Sequence, residues 1–206
     1  MGLLVEGSWR KRLDLHFFLI DFITYIYRLI KPLNYYKDVV MALFRKASTQ
    51  EIDKLKSLLW EFGPNEWNYL TPEGVNDEFA LIEHGDAQAI IAVVDSEIIG
   101  FAILIDGLVG PRYLEKYSPL EQMKFVGDVV VSSHHAGKGI ATKLLKECIL
   151  EAKVHHAKKV LIERHEENLA SAGMMCKAGF EIVDTFYDPE KRTAGSQKSV
   201  ILSFDL

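Results

Sequence analysis

The stretch Val129-Val130-Val131-Ser132-Ser133-His134-His135-Ala136-Gly137-Lys138-Gly139-Ile140-Ala141 decides the fold. A valine run of the kind buried in central strands enters a turn that holds Gly137 and Gly139. Beyond it Ile140, Ala141, Leu144, Leu145, Cys148, Ile149 and Ala152 follow helical spacing and predict a helix from Gly139 to about Lys153. In such a strand-turn-helix unit the first helical amides, Gly139 to Lys143, lack earlier carbonyls to bond and point back toward the turn. The two glycines carry no side chain to hold a ligand off the backbone, and Lys138 and Lys143 add positive charge. That nest suits the oxygens of a phosphate or pyrophosphate. A plain tight turn would need the same glycines. The two common nucleotide motifs are absent, since neither Gly-x-Gly-x-x-Gly nor Gly-Lys-Ser/Thr at the P-loop spacing occurs here.

Upstream, Val39 to Arg45 reads as a strand. Ser48-Thr49-Gln50-Glu51 reads as a capping box for a helix carrying Ile52, Leu55, Leu58 and Leu59, which Gly63-Pro64 stops. A loop is expected over Asn65 to Glu73, then a short helix over Val75 to Glu83 with Phe79 and Ile82 inward. Ala87 to Val94 and Glu97 to Ile105, joined by Asp95-Ser96, predict a hairpin. Residues 106–121 break both periodicities before the strand Met123 to Val131. Downstream, Lys159 to Glu163 is a short buried strand, and Asn168 caps a helix toward Lys177. Gly179 suits the left-handed exit, and Phe180 to Phe186 and Ser199 to Phe204 are the last strands. This order predicts an α/β (α+β) domain over 41–206, with a mixed central sheet flanked by helices.

The 206 residues hold 24 Lys and Arg against 29 Asp and Glu, a formal charge of -5. That balance disfavours nucleic acid and mildly favours a cationic partner. Two cysteines outside any Cys-x-x-Cys pair rule out a disulfide framework and fit a reducing, cytoplasmic setting. The histidines nowhere combine with Cys or Asp at zinc spacing, so no metal is expected. Residues 1–40 form an extension whose run Leu15 to Ile30 is apolar apart from His16, Asp21, Thr24 and Arg28. Asp21 argues against a transmembrane span. The run reads as a helix packed on the domain or on the other subunit of a homodimer, as a membrane-surface anchor, or as a processed segment. Lys31-Pro32 ends it.

Two motifs resemble those of the GNAT acyltransferases, which use acetyl-CoA. The family's turn Gln/Arg-x-x-Gly-x-Gly/Ala is matched by Ala136-Gly137-Lys138-Gly139-Ile140-Ala141, with Ala136 in place of Gln or Arg. Its second signature, Asn-x-x-Ala/Ser followed by Leu-Tyr and Gly-Phe, is matched by Asn168, Ser171, Met174, Met175, Gly179 and Phe180, with Met175 where tyrosine is usual. The order of elements resembles the family from about Met41 to Leu206. The resemblance implies a GNAT-like acyl-CoA N-acyltransferase fold, in which the strand ending at Val131 splays from Lys159 to Glu163. Val129, Val130 and Val131 would then pair with the pantetheine arm. Ala136, Gly137, Lys138, Gly139, Ile140, Ala141 and Thr142 would hold the pyrophosphate, and Asn168 would line the other side of the cofactor. Phe180 would pack behind the site.

The activity so implied moves an acetyl group from acetyl-CoA to a primary amine, on a small molecule or a protein, by direct attack. Such a reaction needs a base for the amine proton and a source of a proton for the thiolate. Asp128 and Glu163, on the strands bordering the gap, lead as catalytic candidates, ahead of His134, His135 and His165. Sheet-edge hydrogen bonding is the competing role for either carboxylate. Met175 has a thioether, which cannot donate a proton, so that proton comes from water, from Tyr113 or Tyr117, or after product release. Glu66, Trp67, Tyr69 and Tyr113 are the candidate acceptor contacts, because aromatic faces and a carboxylate attract an amine. The departures at Ala136 and Met175 also admit another class, a non-catalytic acyl-CoA sensor or interaction module.

Overall fold

The computed structural model describes residues 42–206 except Tyr69. The expectations for residues 1–40, and for Val39 to Met41 as the start of a strand, lie outside the described residues.

Seven strands form one sheet: β1 (Leu43–Lys46), β2 (Ala87–Val94), β3 (Glu97–Asp106), β4 (Met123–Val131), β5 (Lys159–His165), β6 (Glu181–Tyr187) and β7 (Lys198–Asp205). Their order across the sheet is β1-β2-β3-β4-β5-β7-β6. Only β4 and β5 run parallel, and the other neighbours are antiparallel. The sheet is therefore mixed, as the order of elements predicts. Asp95 and Ser96 both take positive φ, 50° and 69°, the two-residue turn whose twist matches an antiparallel hairpin. The parallel step from β4 to β5 needs a crossover, which the helix after the valine run supplies.

Among the described residues four helices cover the sheet: α1 (Ile52–Phe62), α2 (Pro72–His84), α3 (Ile140–Val154) and α4 (Leu169–Ala178). The stripes of α1 (Ile52, Leu55, Leu59) and α2 (Val75, Phe79, Ile82) pack in one core with Phe101, Ile103 and Phe125. The stripe of α3 packs with Met175 and Ala178 of α4 in a second core, against Ala102, Val126 and Ile162. Each large side chain buried in this way is worth about 1.5–3 kcal/mol, so the period of the apolar residues chooses the faces.

Helix α2 starts earlier than the expected Val75. The Thr71 hydroxyl accepts from Gly74 N–H at 3.1 Å, and Pro72 occupies the first turn, where its missing N–H costs nothing. The Glu51 carboxylate accepts from Ser48 N–H at 2.9 Å and holds a short 3-10 turn ahead of α1. At the end of α4, Gly179 has φ 100° and Phe180 N–H reaches back to Met175 O at 3.1 Å. Phe180 is thus part of the helix exit rather than of β6, and its ring is buried beside Phe204.

One irregularity opens the sheet. Ala102 pairs with Val129 and Leu104 with Val126, so Ile103 alone faces both Gly127 and Asp128. This β-bulge bends β4 where its parallel ladder with β5 stops, at Val126 opposite Ile162. Strand β5 continues with β7 as far as His165 opposite Ser199. Beyond the bulge β4 stays with β3, β5 stays with β7, and a gap lies between them. Among the described residues no helix is long and apolar enough to cross a membrane, and no three His, Cys, Asp or Glu side chains are grouped to hold a metal ion.

Candidate active site

The gap between β4 and β5 continues into a cavity of about 560 Å³. Its walls come from α2 (Val75, Glu78), the bulge (Gly127, Asp128, Val129), β5 (Ile162, Glu163), α4 (Met174, Met175) and the β6–β7 connection (Lys191, Arg192). Ser132 N–H donates to Ile99 O at 2.8 Å. Polar groups alternate along a strand, so those of Val131 and Val129 face the open side while Val130 faces β3.

Glu78 sits on the inward side of α2, and its Oε1 accepts from the Asp128 N–H freed at the bulge, at 3.1 Å. Burial, and next the nearby Asp128 charge, push the Glu78 carboxyl well above the ordinary carboxylate range. Burial also raises Asp128, against the opposing pull of the Glu78 hydrogen bond and of Lys191. Two carboxylates in such contact do not both ionise readily, so their titrations are linked and the pair takes up and releases protons as one unit. Gly127 makes room for this: a methyl group there would collide with the Glu78 carboxylate and meet Ile105 Cδ1 at 3.1 Å. Gly127→Ala is expected to destabilise the domain by about 1–3 kcal/mol through that overpacking, read as a lower urea midpoint with unchanged slope.

Glu163 has a different environment. Arg192 Nη2 lies 2.6 Å and Lys191 Nζ 2.8 Å from its Oε1, Ser199 Oγ lies 2.9 Å away, and the Tyr113 hydroxyl donates to Oε2. Burial alone would raise its pKa. Lys191, Tyr113 and Arg192 outweigh burial and hold the carboxylate below its ordinary range. Arg192 uses all three of its nitrogens, with Nε on Ser199 Oγ at 2.9 Å and Nη1 on Trp67 O at 3.2 Å beside the Nη2 bond to Glu163. The Glu163–Arg192 pair therefore pins the β6–β7 connection to the sheet. Breaking such a pair from one side costs about 3–5 kcal/mol. Arg192→Met should lose about that much at neutral pH in chemical denaturation. A depressed carboxylate stabilises above its unfolded pKa, near 4.3, and that contribution is lost as pH falls through the folded value. The gap between variant and wild type should accordingly shrink in acid.

The loop before α3 presents an open cradle. Gly137 and Gly139 have φ 74° and 77°, and a Cβ added at either meets nothing within 4 Å. Ala136 N–H is taken by Ser133 O at 3.1 Å and Lys143 N–H by Gly139 O at 3.0 Å. Between them, the amides from Gly137 to Thr142 have no partner among the described residues. The free run thus begins two residues earlier than expected and ends before Lys143. Lys138 Nζ lies 3.4 Å from His134 O, beside the same loop.

The model of the acetyltransferase (GNAT) family matches residues 52–180, more than half of the chain. The chain belongs to the GNAT family. Solved structures share the fold. A ribosomal-protein-alanine N-acetyltransferase from Brucella melitensis is 19% identical with TM-score 0.62, over 80% of this chain and 99% of its own. A GNAT acetyltransferase from Elizabethkingia anophelis with acetyl-CoA bound is 18% identical with TM-score 0.60, over 80% and 98%. A Bacillus subtilis acetyltransferase in complex with CoA is 18% identical with TM-score 0.60, over 80% and 99%. No curated protein sequence matches.

In this GNAT domain Asp128 and Glu163 both line the cavity, but Asp128 is raised beside Glu78 while Glu163 is held below its ordinary range. Asn168 spends its side-chain oxygen on Ser171 N–H at 3.0 Å, as the cap of α4. Ile140 turns its side chain into the core, leaving only its amide toward the loop. Of the acceptor candidates, Tyr113 reaches the cavity wall through Glu163. Trp67 does not line the cavity, because its ring stacks on His165 with centroids 4.5 Å apart, and Glu66 is exposed away from the wall. Tyr69 lies outside the described residues. Tyr113 is pushed upward by burial and then by Glu163, and Tyr117 by burial and then by its hydrogen bond to Asp184. Neither phenol is tuned to release a proton. Sequence reasoning missed Glu78, Lys191 and Arg192. Glu78 did carry a signal, since it falls on the Val75–Phe79–Ile82 stripe where a carboxylate needs a reason to point inward.

Proposed function

We propose that this GNAT domain transfers an acetyl group from acetyl-CoA to a primary amine by direct attack. The observation that carries the reading is a sheet that opens beyond Val126 onto a cavity lined by Val129 and the Glu78–Asp128 pair, in the same domain as the unpaired amides of Gly137–Thr142. The residues fit the cofactor. A loop of free amides at the start of a helix suits a pyrophosphate, and the free polar groups of Val129 and Val131 match the amides of a pantetheine arm. The two neighbours solved with CoA or acetyl-CoA support the same reading.

Acetyl-CoA supplies the acyl group as a thioester. The chain holds it beside the bulge, where the Val129 N–H meets negative charge developing on the carbonyl oxygen. The acceptor enters as an ammonium, since amines are mostly protonated near pH 7. It gives up two protons in all. One goes to the Glu78–Asp128 pair and on to solvent, and the other reaches the departing sulfur through water. Nitrogen forms its bond to the acetyl carbon as the carbon–sulfur bond breaks. No covalent enzyme nucleophile is needed, and the thioether of Met175 takes no part in proton transfer.

The test is release of free coenzyme A thiol from acetyl-CoA across a panel of small amines and peptides. Amine-dependent release supports the proposal. Acetyl-CoA binding with no acceleration by any amine would point instead to a sensor.

A further inference from the structure

The cavity has a cationic wall as well as an acidic one. Lys191 and Arg192 line it together with Glu78 and Asp128. Arg192 is spent on Glu163, Ser199 and the Trp67 carbonyl, with only 7% of its side chain exposed. Lys191 differs. Its ammonium has three donors, its one partner among the described residues is Glu163 at 2.8 Å, and 43% of the side chain is exposed. That carboxylate also has Arg192, Ser199 and Tyr113, so Lys191 is one of its four partners rather than its sole counter-charge. Lys191 and the acidic pair line the same cavity of about 560 Å³, a space that one small molecule can fill. The same cavity also has apolar lining residues, among them Leu81, Val109 and Phe125.

An amine acceptor without a negative group would leave the spare donors of Lys191 facing it, and like charge would work against an ammonium there. We propose that the acceptor is a free α-amino acid with an apolar side chain, its carboxylate on Lys191 and its amine on the Glu78–Asp128 pair. The proposal rests on the acetyl-transfer reading and narrows its substrate class. It separates a free amino acid from a peptide amino terminus, which has the amine but no adjacent carboxylate.

The experiment compares L-leucine with L-leucinamide, and L-phenylalanine with its amide. Acid and amide match in size and differ in charge. The amides have the larger fraction of unprotonated amine near neutrality, because the adjacent carboxylate of the acid raises its amine pKa, so tighter binding of the acid must come from the protein. Binding is read by calorimetry with coenzyme A present, and turnover by thiol release. We expect each acid to bind about 10-fold tighter than its amide, the loss of one charge-assisted hydrogen bond. Lys191→Met should abolish the preference and Lys191→Arg should retain part of it. Equal or better binding of the amides, or a preference that survives in Lys191→Met, overturns the proposal. Thiol release with plain amines but not with the acids also overturns it, while acetyl transfer stands. If acetyl-CoA binds yet no amine of any kind releases thiol, the transfer reading itself fails, and this inference with it.

Discussion

Gly139→Glu abolishes acetyl-CoA binding while the domain remains folded: this is the expected result of placing a carboxylate in the cradle before α3. The position is open, so a side chain there meets no protein atom, and the fold has no packing reason to fail. The backbone cost is that of a non-glycine residue at φ 77°, about 1–2 kcal/mol. The binding cost is larger. Hydrogen bonds to a charged group are worth about 1.5–3 kcal/mol each, so displacing two of them from a pyrophosphate lowers affinity by about 100-fold or more. Gly139→Ala separates the two effects, since it carries the backbone strain without the charge. Calorimetry with acetyl-CoA on both variants decides the matter: affinity in Gly139→Glu within a fewfold of Gly139→Ala would move the phosphate site elsewhere.

The second large effect is on rate. Asp128→Asn is expected to lower kcat by about 10²–10⁴-fold, the usual range for removing a positioned base. If Asp128 is the base, it works in the wild type only when it is ionised. Both groups are raised, so the acid limb of the rate profile extends to higher pH than for an exposed carboxylate. Without the base, rate should follow the fraction of free amine and climb toward the amine pKa. Stability must move the other way. A carboxyl whose pKa is higher in the folded state makes folding less favourable as pH rises between its unfolded value, about 3.9, and its folded one. Asp128→Asn removes that burden and should unfold no earlier than wild type at pH 8. Lost activity without lost stability marks a group retained for chemistry. A wild-type rate profile in Asp128→Asn would remove it from proton transfer.

The sequence was legible where one local rule decided the outcome. The valine run, the glycines and the α3 stripe each point to the same strand-turn-helix, and the hairpin at Asp95-Ser96 follows from turn chemistry alone. The bulge was less so. Gly127 inside a strand is a recognised sign of one, but whether Asp128 then faces the gap depends on pairing with β3, a long-range contact. Roles that arise from meetings of distant segments were the hardest to see. Lys191 and Arg192 sit in a polar loop that looks like plain solvated chain until β7 pairs with β5 and carries it to Glu163. Trp67 misled for a related reason: an aromatic residue in a loop looks like a ligand platform until a histidine from another strand takes its face.

The clasp between Arg192 and Glu163 has an evolutionary corollary. If the acetyl-transfer proposal holds, it would let one short, exchangeable piece of chain carry recognition of the acceptor while the Gly137–Thr142 amides proposed for the donor stay elsewhere in the chain. Lineages that keep the clasp can vary its neighbours, Lys191 first, and explore new partners without rebuilding the donor cleft. For an engineer the same division marks residues 188–197 as a cassette to diversify, with Arg192 held constant as its anchor.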